Sequence, residues 1–340
     1  MTTVAPQHLA PKDYASDQEV RWCPGCGDYA ILKAIQKALS DLNASRENTV
    51  FVSGIGCASR LPYYVSTYGF HTIHGRAPAI ATGMKLANPD LDVWVITGDG
   101  DALSIGGNHT LHVLRRNVNV HLILFNNEIY GLTKGQYSPT SRRGTRSPST
   151  PGGSIDSPVS ACAFALGASA RFVARSVDTQ QTHLVEVLKR AHDHRGASFV
   201  EVFQNCVVYN DAVFENFTGK EVAADMQLLL QHGKPMLFGK EHDKGIRLNG
   251  LHPEVVTLGE NGITEADILV HDAHAEDPYL ALILSRMFWP EYPVPVGVLR
   301  SIERPTHSDL IDEQIATAKA KSGEGDIAKA LVSGETWTVS

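Results

Sequence analysis

The chain has no long apolar run. None approaches the roughly 18 residues that a membrane-crossing helix needs, and the start, Met1 to Tyr14, is polar and carries prolines rather than a charged end followed by an apolar stretch. The sequence therefore reads as that of an unexported, cytoplasmic protein. A surplus of positive charge is also missing: 30 Lys and Arg stand against 37 Asp and Glu, for a formal net charge of −7. No basic field is available to hold a phosphate backbone, so nucleic acid is not the expected partner. Cysteine is scarce, at five in 340 residues, and the odd number is too small for a disulfide scaffold. What the chain does have, 43% hydrophobic and 20% charged residues, is enough apolar material for a large core and excludes intrinsic disorder.

Five segments rich in Val, Ile and Phe are predicted as strands: 49–53, 92–97, 120–125, 171–177 and 198–203. Helical character falls between them, over 31–42, 78–87, 108–116 and 182–192. This alternation predicts an α/β fold with a mostly parallel, doubly wound sheet covered on both faces. In such sheets ligands sit outside the carboxyl ends of the strands. The unusual residues fall there: GIGC after the first strand, GDGD after the second, NNEIYG after the third, and Asn205 and Cys206 after the fifth. The stretch 138–154, rich in Ser, Pro, Gly and Arg, reads as a long mobile loop leaving that edge. From about Met236 the alternation becomes irregular, which divides the chain into a main domain, 1–235, and a C-terminal extension, 236–340, packed on the core or on a partner.

The paired GDG and NN elements suit a hard divalent cation. A carboxylate from Asp99, an amide oxygen from Asn127 and the backbone carbonyl of Ile129 are the donors expected for a Mg²⁺ that also holds phosphate oxygens. Gly98 and Gly100 leave room for a diphosphate to approach the backbone. A dinucleotide site fits less well, because GIGCAS and GDGDAL end in Ser and Leu where that fingerprint has Gly or Ala. Cys23, Cys26, Cys57 and Cys206 all stand near the active edge, so four thiolates can converge there. By residue type they suit either a 4Fe-4S cluster or a structural Zn²⁺. Cys162, in the apolar run ACAFALGA, reads as an inert core thiol.

In this order, WCPGCG, GIGCASR, HGRAPAIATGMKLANPD, GDGDALSIGGNH and NNEIYGLTKGQYSPTS resemble the β subunits of the 2-oxoacid:ferredoxin oxidoreductases, closest to the 2-oxoglutarate type. The motifs span about 22–140, and Cys206 extends the match to roughly 210. The resemblance implies the thiamine diphosphate-binding fold, with thiamine diphosphate, Mg²⁺ and one 4Fe-4S cluster on Cys23, Cys26, Cys57 and Cys206, and coenzyme A as co-substrate. Cofactor contacts are implied from Ile55, Gly56, Cys57 and Ala58, from His74, from Gly98, Gly100 and Asp101, and from Gly131 and Leu132. Arg60 and Lys134 are the cations expected to hold the carboxylates of a 2-oxo acid.

The implied reaction is addition of the thiamine ylide to the 2-oxo carbon, loss of CO₂, and one-electron steps from the resulting enamine through the cluster to ferredoxin. Coenzyme A takes the acyl group. Nothing in the sequence resembles the second, pyrimidine-binding domain with its glutamate, so an α subunit is expected to supply it, in an αβ or (αβ)₂ assembly. Leu132 to Gln136 replace the TGGQ-like sequence of pyruvate-cleaving members, which favours a larger or broader oxo acid. Two other readings share these residues: a non-oxidative thiamine enzyme subunit with structural zinc, and an iron–sulfur subunit that binds no thiamine.

Overall fold

The computed structural model describes residues 8–339; the first half of the polar start lies outside them. Eight strands form the main sheet: β1 (Thr49–Ser53), β2 (Tyr68–His71), β3 (Asp92–Gly98), β4 (His121–Asn126), β5 (Phe172–Val177), β6 (Ser198–Phe203), β7 (Gln227–Leu230) and β8 (Val294–Ser301), in the order β2-β1-β3-β4-β6-β5-β8-β7. The first six run parallel. β8 is antiparallel to β5, and β7 follows β8 in parallel. The five predicted strands agree with the structure to within a residue.

Period-2 alternation sorts each strand's side chains between two cores. Val93, Val95, Leu122 and Leu124 pack with α2 (Ala77–Ala87), and further along the same face lie Val113 and Leu114 of a third-layer helix, Gly107–Arg115. Trp94, Ile96, Ile123 and Phe125 pack on the opposite face, which also buries Ile31 and Ile35 of the helix Asp28–Asp41 and Leu184 and Leu188 of the helix Gln181–Asp193. Fully buried parallel strands need near-continuous apolar runs, and β3 and β4 supply them. Among the described residues no helix is long and apolar enough to cross a membrane.

Three sequence expectations change. The boundary near 235 is crossed by the sheet, because β8 inserts between β5 and β7. β8 lies in the stretch of irregular alternation and contains Pro295 and Gly297, yet it is buried along nearly its whole length. The 138–154 segment folds back onto the edge, with Ser138, Thr140, Ser141 and Ser154 buried. Cys162 is not in purely apolar company. Its thiol donates to Glu201 Oε2 at 3.2 Å, and that carboxylate also pairs with Arg175 Nε at 2.8 Å and accepts from Asn126 Nδ2 at 2.8 Å.

Arg175 and Glu201 are opposed in register on neighbouring strands, and both are buried. Removing one partner of such a pair typically costs about 3–5 kcal/mol, whereas replacing both with apolar residues of similar volume is often neutral. Glu201→Gln is therefore expected to lower the thermal unfolding midpoint clearly, and Glu201→Leu combined with Arg175→Met to recover most of the loss. Differential scanning fluorimetry of the three chains checks this.

Candidate functional site

The carboxyl ends of β1, β3, β4 and β6 open onto two adjoining cavities. The first, about 350 Å³, is lined by Ile55, Gly56, Cys57, Ala58, His74, Gly98, Asp99, Gly100, Asp101, Asn127, Ile129, Gly131 and Leu132, together with Asp28, Tyr130 and Gln136. It brings together every residue expected at the diphosphate and its cation. The second, about 250 Å³, is lined by Cys23, Cys26, Cys57 and Cys206, with Arg60 and Lys134. Cys57, Asn127, Gly131 and Leu132 belong to both walls. Arg60 and Lys134 thus stand on the cysteine side of the shared wall and do not line the first cavity.

Asp99 begins a short helix directly after β3 and is buried. Its Oδ2 accepts from Ser138 and Thr140 hydroxyls, both at 2.5 Å. Burial pushes the carboxyl up to about 6 against the pull of those hydroxyls. A carboxylate so placed, with no cationic side chain on it, suits a hard cation. Asn127 Nδ2 donates to Gln204 Oε1 at 2.8 Å, which leaves its Oδ1 with one long bond, from Ile129 N at 3.2 Å. Asp99, Asn127 and the Ile129 backbone thus bring oxygen groups of the kind a hard cation takes to the wall of the first cavity.

Asp101 lines the first cavity, and its side chain is engaged within the protein. Its Oδ1 accepts from Ile55 N at 3.2 Å, Gly75 N at 2.7 Å and His74 Nδ1 at 2.7 Å, and its Oδ2 accepts from Thr97 Oγ1 at 2.8 Å. The carboxylate is saturated, so Asp101 ties the loop after β1, the loop before α2 and the end of β3 into one frame. It also fixes the His74 ring, whose Nε2 has no hydrogen-bond partner among the described residues. Asp101→Ala would leave the backbone N–H groups of Ile55 and Gly75 without that acceptor, the buried Gly75 N–H costing about 1–3 kcal/mol and the partly buried Ile55 N–H less. A lower thermal midpoint and weaker thiamine diphosphate binding by calorimetry are expected, with Asp101→Asn milder in both.

Gly56 adopts φ +110° and a side chain there would meet no atom within 4 Å, so the loop after β1 is shaped to leave space above its backbone. At Gly131 a Cβ would lie 3.4 Å from Cys206 Sγ and 3.7 Å from Cys57 Sγ. The missing side chain keeps open the volume between two sulfurs that a cluster would fill. All four cysteines are free thiols. Burial, reinforced by Asp28, pushes the Cys26 thiol well up and the Cys57 thiol to about 12. Gln204 bridges the two cavities, since its Nε2 donates to Cys26 Sγ at 3.3 Å while its Oε1 accepts from Asn127.

Asp28, Ser138, Thr140 and Gln204 were not picked out from the sequence. Ser138 and Thr140 lie in a stretch whose composition signals loop, and Asp28 stands in the first turn of the helix Asp28–Asp41, where an acidic residue is ordinary. Asp28 is buried at the wall of the first cavity, and neither oxygen has a hydrogen-bond partner among the described residues. Burial pushes its carboxyl up to about 7, against a smaller opposing pull from the Cys26 thiol.

Fold and cavity define a thiamine diphosphate-binding domain, and residues 54–202 match the family described as thiamine pyrophosphate enzyme, C-terminal TPP binding domain. The chain is 51% identical to the 2-oxoglutarate oxidoreductase subunit KorB of Mycobacterium tuberculosis, over 99% of this chain and 90% of that one. It is 39% identical to the 2-oxoglutarate synthase subunit KorB of Methanocaldococcus jannaschii, over 74% of this chain and 91% of that one. It superposes with a TM-score of 0.77 and 32% identity on a chain of the 2-oxoglutarate:ferredoxin oxidoreductase from Magnetococcus marinus, a structure with 2-oxoglutarate, coenzyme A and succinyl-CoA bound, covering 97% of each chain. The chain belongs to the β subunits of the 2-oxoacid:ferredoxin oxidoreductases and is an oxidoreductase subunit.

Proposed function

We propose that this chain is the β subunit of an enzyme that interconverts 2-oxoglutarate, coenzyme A and oxidised ferredoxin with succinyl-CoA, CO₂ and reduced ferredoxin. The observation that carries the reading is the shared wall: Cys57, Asn127, Gly131 and Leu132 line both the cavity that holds the GDG and NN residues and the chamber lined by four cysteines. A purely structural zinc site gains nothing from that adjacency, whereas electron transfer requires it.

When bound, thiamine diphosphate supplies the electron sink for decarboxylating a 2-oxo acid, and a 4Fe-4S cluster supplies a one-electron acceptor. The chain's own residues hold and orient these groups. Asp99, Asn127 and the Ile129 carbonyl would hold Mg²⁺ at the wall of the first cavity. Backbone groups of Ile55 to Ala58, Gly98 and Gly100 would receive the diphosphate, and His74, steadied by Asp101, would offer Nε2 to it. Asp28, buried on the same wall, would be an acceptor for a donor of the bound cofactor. Cys23, Cys26, Cys57 and Cys206 would ligate the cluster.

Arg60 and Lys134 form no ion pair among the described residues, and from the cysteine side of the shared wall they would hold the substrate carboxylates. The relatives named as 2-oxoglutarate enzymes support a dicarboxylate, for which two cations suit two charged ends. The carboxylate that activates the aminopyrimidine comes from an α subunit. Ferredoxin reduction by the chain co-purified with that subunit is expected to require coenzyme A and to proceed faster with 2-oxoglutarate than with pyruvate. The chain alone is expected to be inactive, and oxidation of 2-oxo acids by the single purified chain would contradict the division of labour.

A further inference from the structure

The amino-terminal edge of the sheet, opposite the thiamine side, holds a cluster that the proposed reaction does not use. Asp92 opens β3, His121 opens β4, and His192 lies in the last turn of the helix Gln181–Asp193. One ligand atom from each can be chosen so that all lie within 4.8 Å of one another. His121 Nε2 stands 3.4 Å from Asp92 Oδ1, and His192 Nε2 stands 3.5 Å from Asp92 Oδ2. Oδ1 is buried and has no hydrogen-bond partner among the described residues.

These separations are longer than a charge-assisted hydrogen bond, about 2.7–2.9 Å. The His121 Nε2–Asp92 Oδ1 separation matches the distance between two ligands of a tetrahedral ion whose bonds are about 2.0–2.2 Å, roughly 3.3–3.6 Å, while His192 approaches the other carboxylate oxygen. The surroundings add the outer support of a metal site. His121 Nδ1 lies 3.0 Å from Ser198 Oγ. With the proton on Nδ1 donated to that hydroxyl, Nε2 keeps its lone pair toward Asp92. Trp94 Nε1 donates to Asp92 Oδ2 at 3.0 Å and holds the carboxylate in place. The Trp94 ring also stacks on His192, with centroids 6.0 Å apart and planes at 17°. The ammonium of the nearby Lys85 is engaged by the Leu91 carbonyl. His121 is buried, while Asp92 and His192 are partly exposed, so an ion can enter and water can complete its coordination.

We propose that Asp92, His121 and His192 bind a first-row divalent cation, Zn²⁺ by the two imidazoles and single carboxylate. The ion ties the starts of β3 and β4 to the end of the helix that covers them, and it is separate from the cysteine site. The test uses the holoenzyme purified anaerobically, equilibrated with zinc and desalted, with zinc and iron counted by mass spectrometry. Wild-type protein is expected to retain about one zinc per chain. His192→Ala, at a partly exposed position, is expected to retain almost none, with its iron unchanged. Asp92→Asn, which preserves shape, should lose zinc likewise. Cys23→Ser keeps this zinc, which separates it from any metal at the cysteines. Added zinc should raise the thermal midpoint of the wild type and leave that of His192→Ala unmoved. No retained zinc in the wild type, or equal retention by His192→Ala, would overturn the proposal and leave the three side chains as a buried ion-pair cluster.

Discussion

Replacing Asp99 with alanine is expected to abolish thiamine diphosphate binding in the presence of Mg²⁺, and to cut 2-oxo acid oxidation by on the order of 10³-fold or more, since a bound cation supplies several kcal/mol of charge stabilisation. The argument is local. Asp99 is the one carboxylate in the first cavity that is neither saturated by internal donors, as Asp101 is, nor seated beside the cysteines, as Asp28 is. Ser138 and Thr140 hold a single oxygen of it, and their hydroxyls would remain satisfied by one another and by Ser141 in the variant, which protects the fold. The variant should therefore purify folded and with the iron content of the wild type. Isothermal titration with thiamine diphosphate and Mg²⁺ reads the loss, and an unchanged affinity would remove Asp99 from the site.

Cys23→Ser is the complementary experiment. Cys23 lines only the cysteine chamber, so its removal should strip the cluster without touching the diphosphate cavity. Iron is expected to fall from about four per chain to well below one. Reduction of ferredoxin should then fall below detection, while thiamine diphosphate still binds with nearly wild-type affinity. The two variants thus separate the halves of the site: one keeps iron and loses thiamine diphosphate, and the other does the reverse. If both lost both ligands, the shared wall would be a single cooperative unit rather than two adjoining sites.

The parts of this arrangement that were legible in the sequence share a physical reason. Strands buried on both faces must be continuous apolar runs, so β3, β4 and β6 announced themselves. The chemistry of a parallel sheet lies at the strand ends, so GDG, NN and Cys206 could be placed on one edge before any coordinates. The edge strand β2 was missed because all four of its residues are exposed and follow no alternation. β7 is too short to signal, and β8 is interrupted by Pro295 and Gly297. The roles of Ser138, Thr140 and Asp101 were out of reach for a different reason. A hydroxyl or carboxylate acquires its task from the group it meets, and those partners stand up to 46 residues away along the chain, joined only by the fold. The Asp92–His121–His192 cluster has the same origin, three ordinary residues brought together by two strand starts and a helix end.

The central claim, that four cysteines place a redox centre against the thiamine cavity, is tested most directly by anaerobic purification with the α subunit, followed by an absorption spectrum and metal count before and after adding 2-oxoglutarate with coenzyme A. The account predicts a brown protein with about four irons per chain at the cysteine site, bleached by 2-oxoglutarate much faster than by pyruvate. A colourless protein with zinc in place of iron, lost on Cys23→Ser, would contradict it and leave a thiamine-dependent subunit without electron transfer.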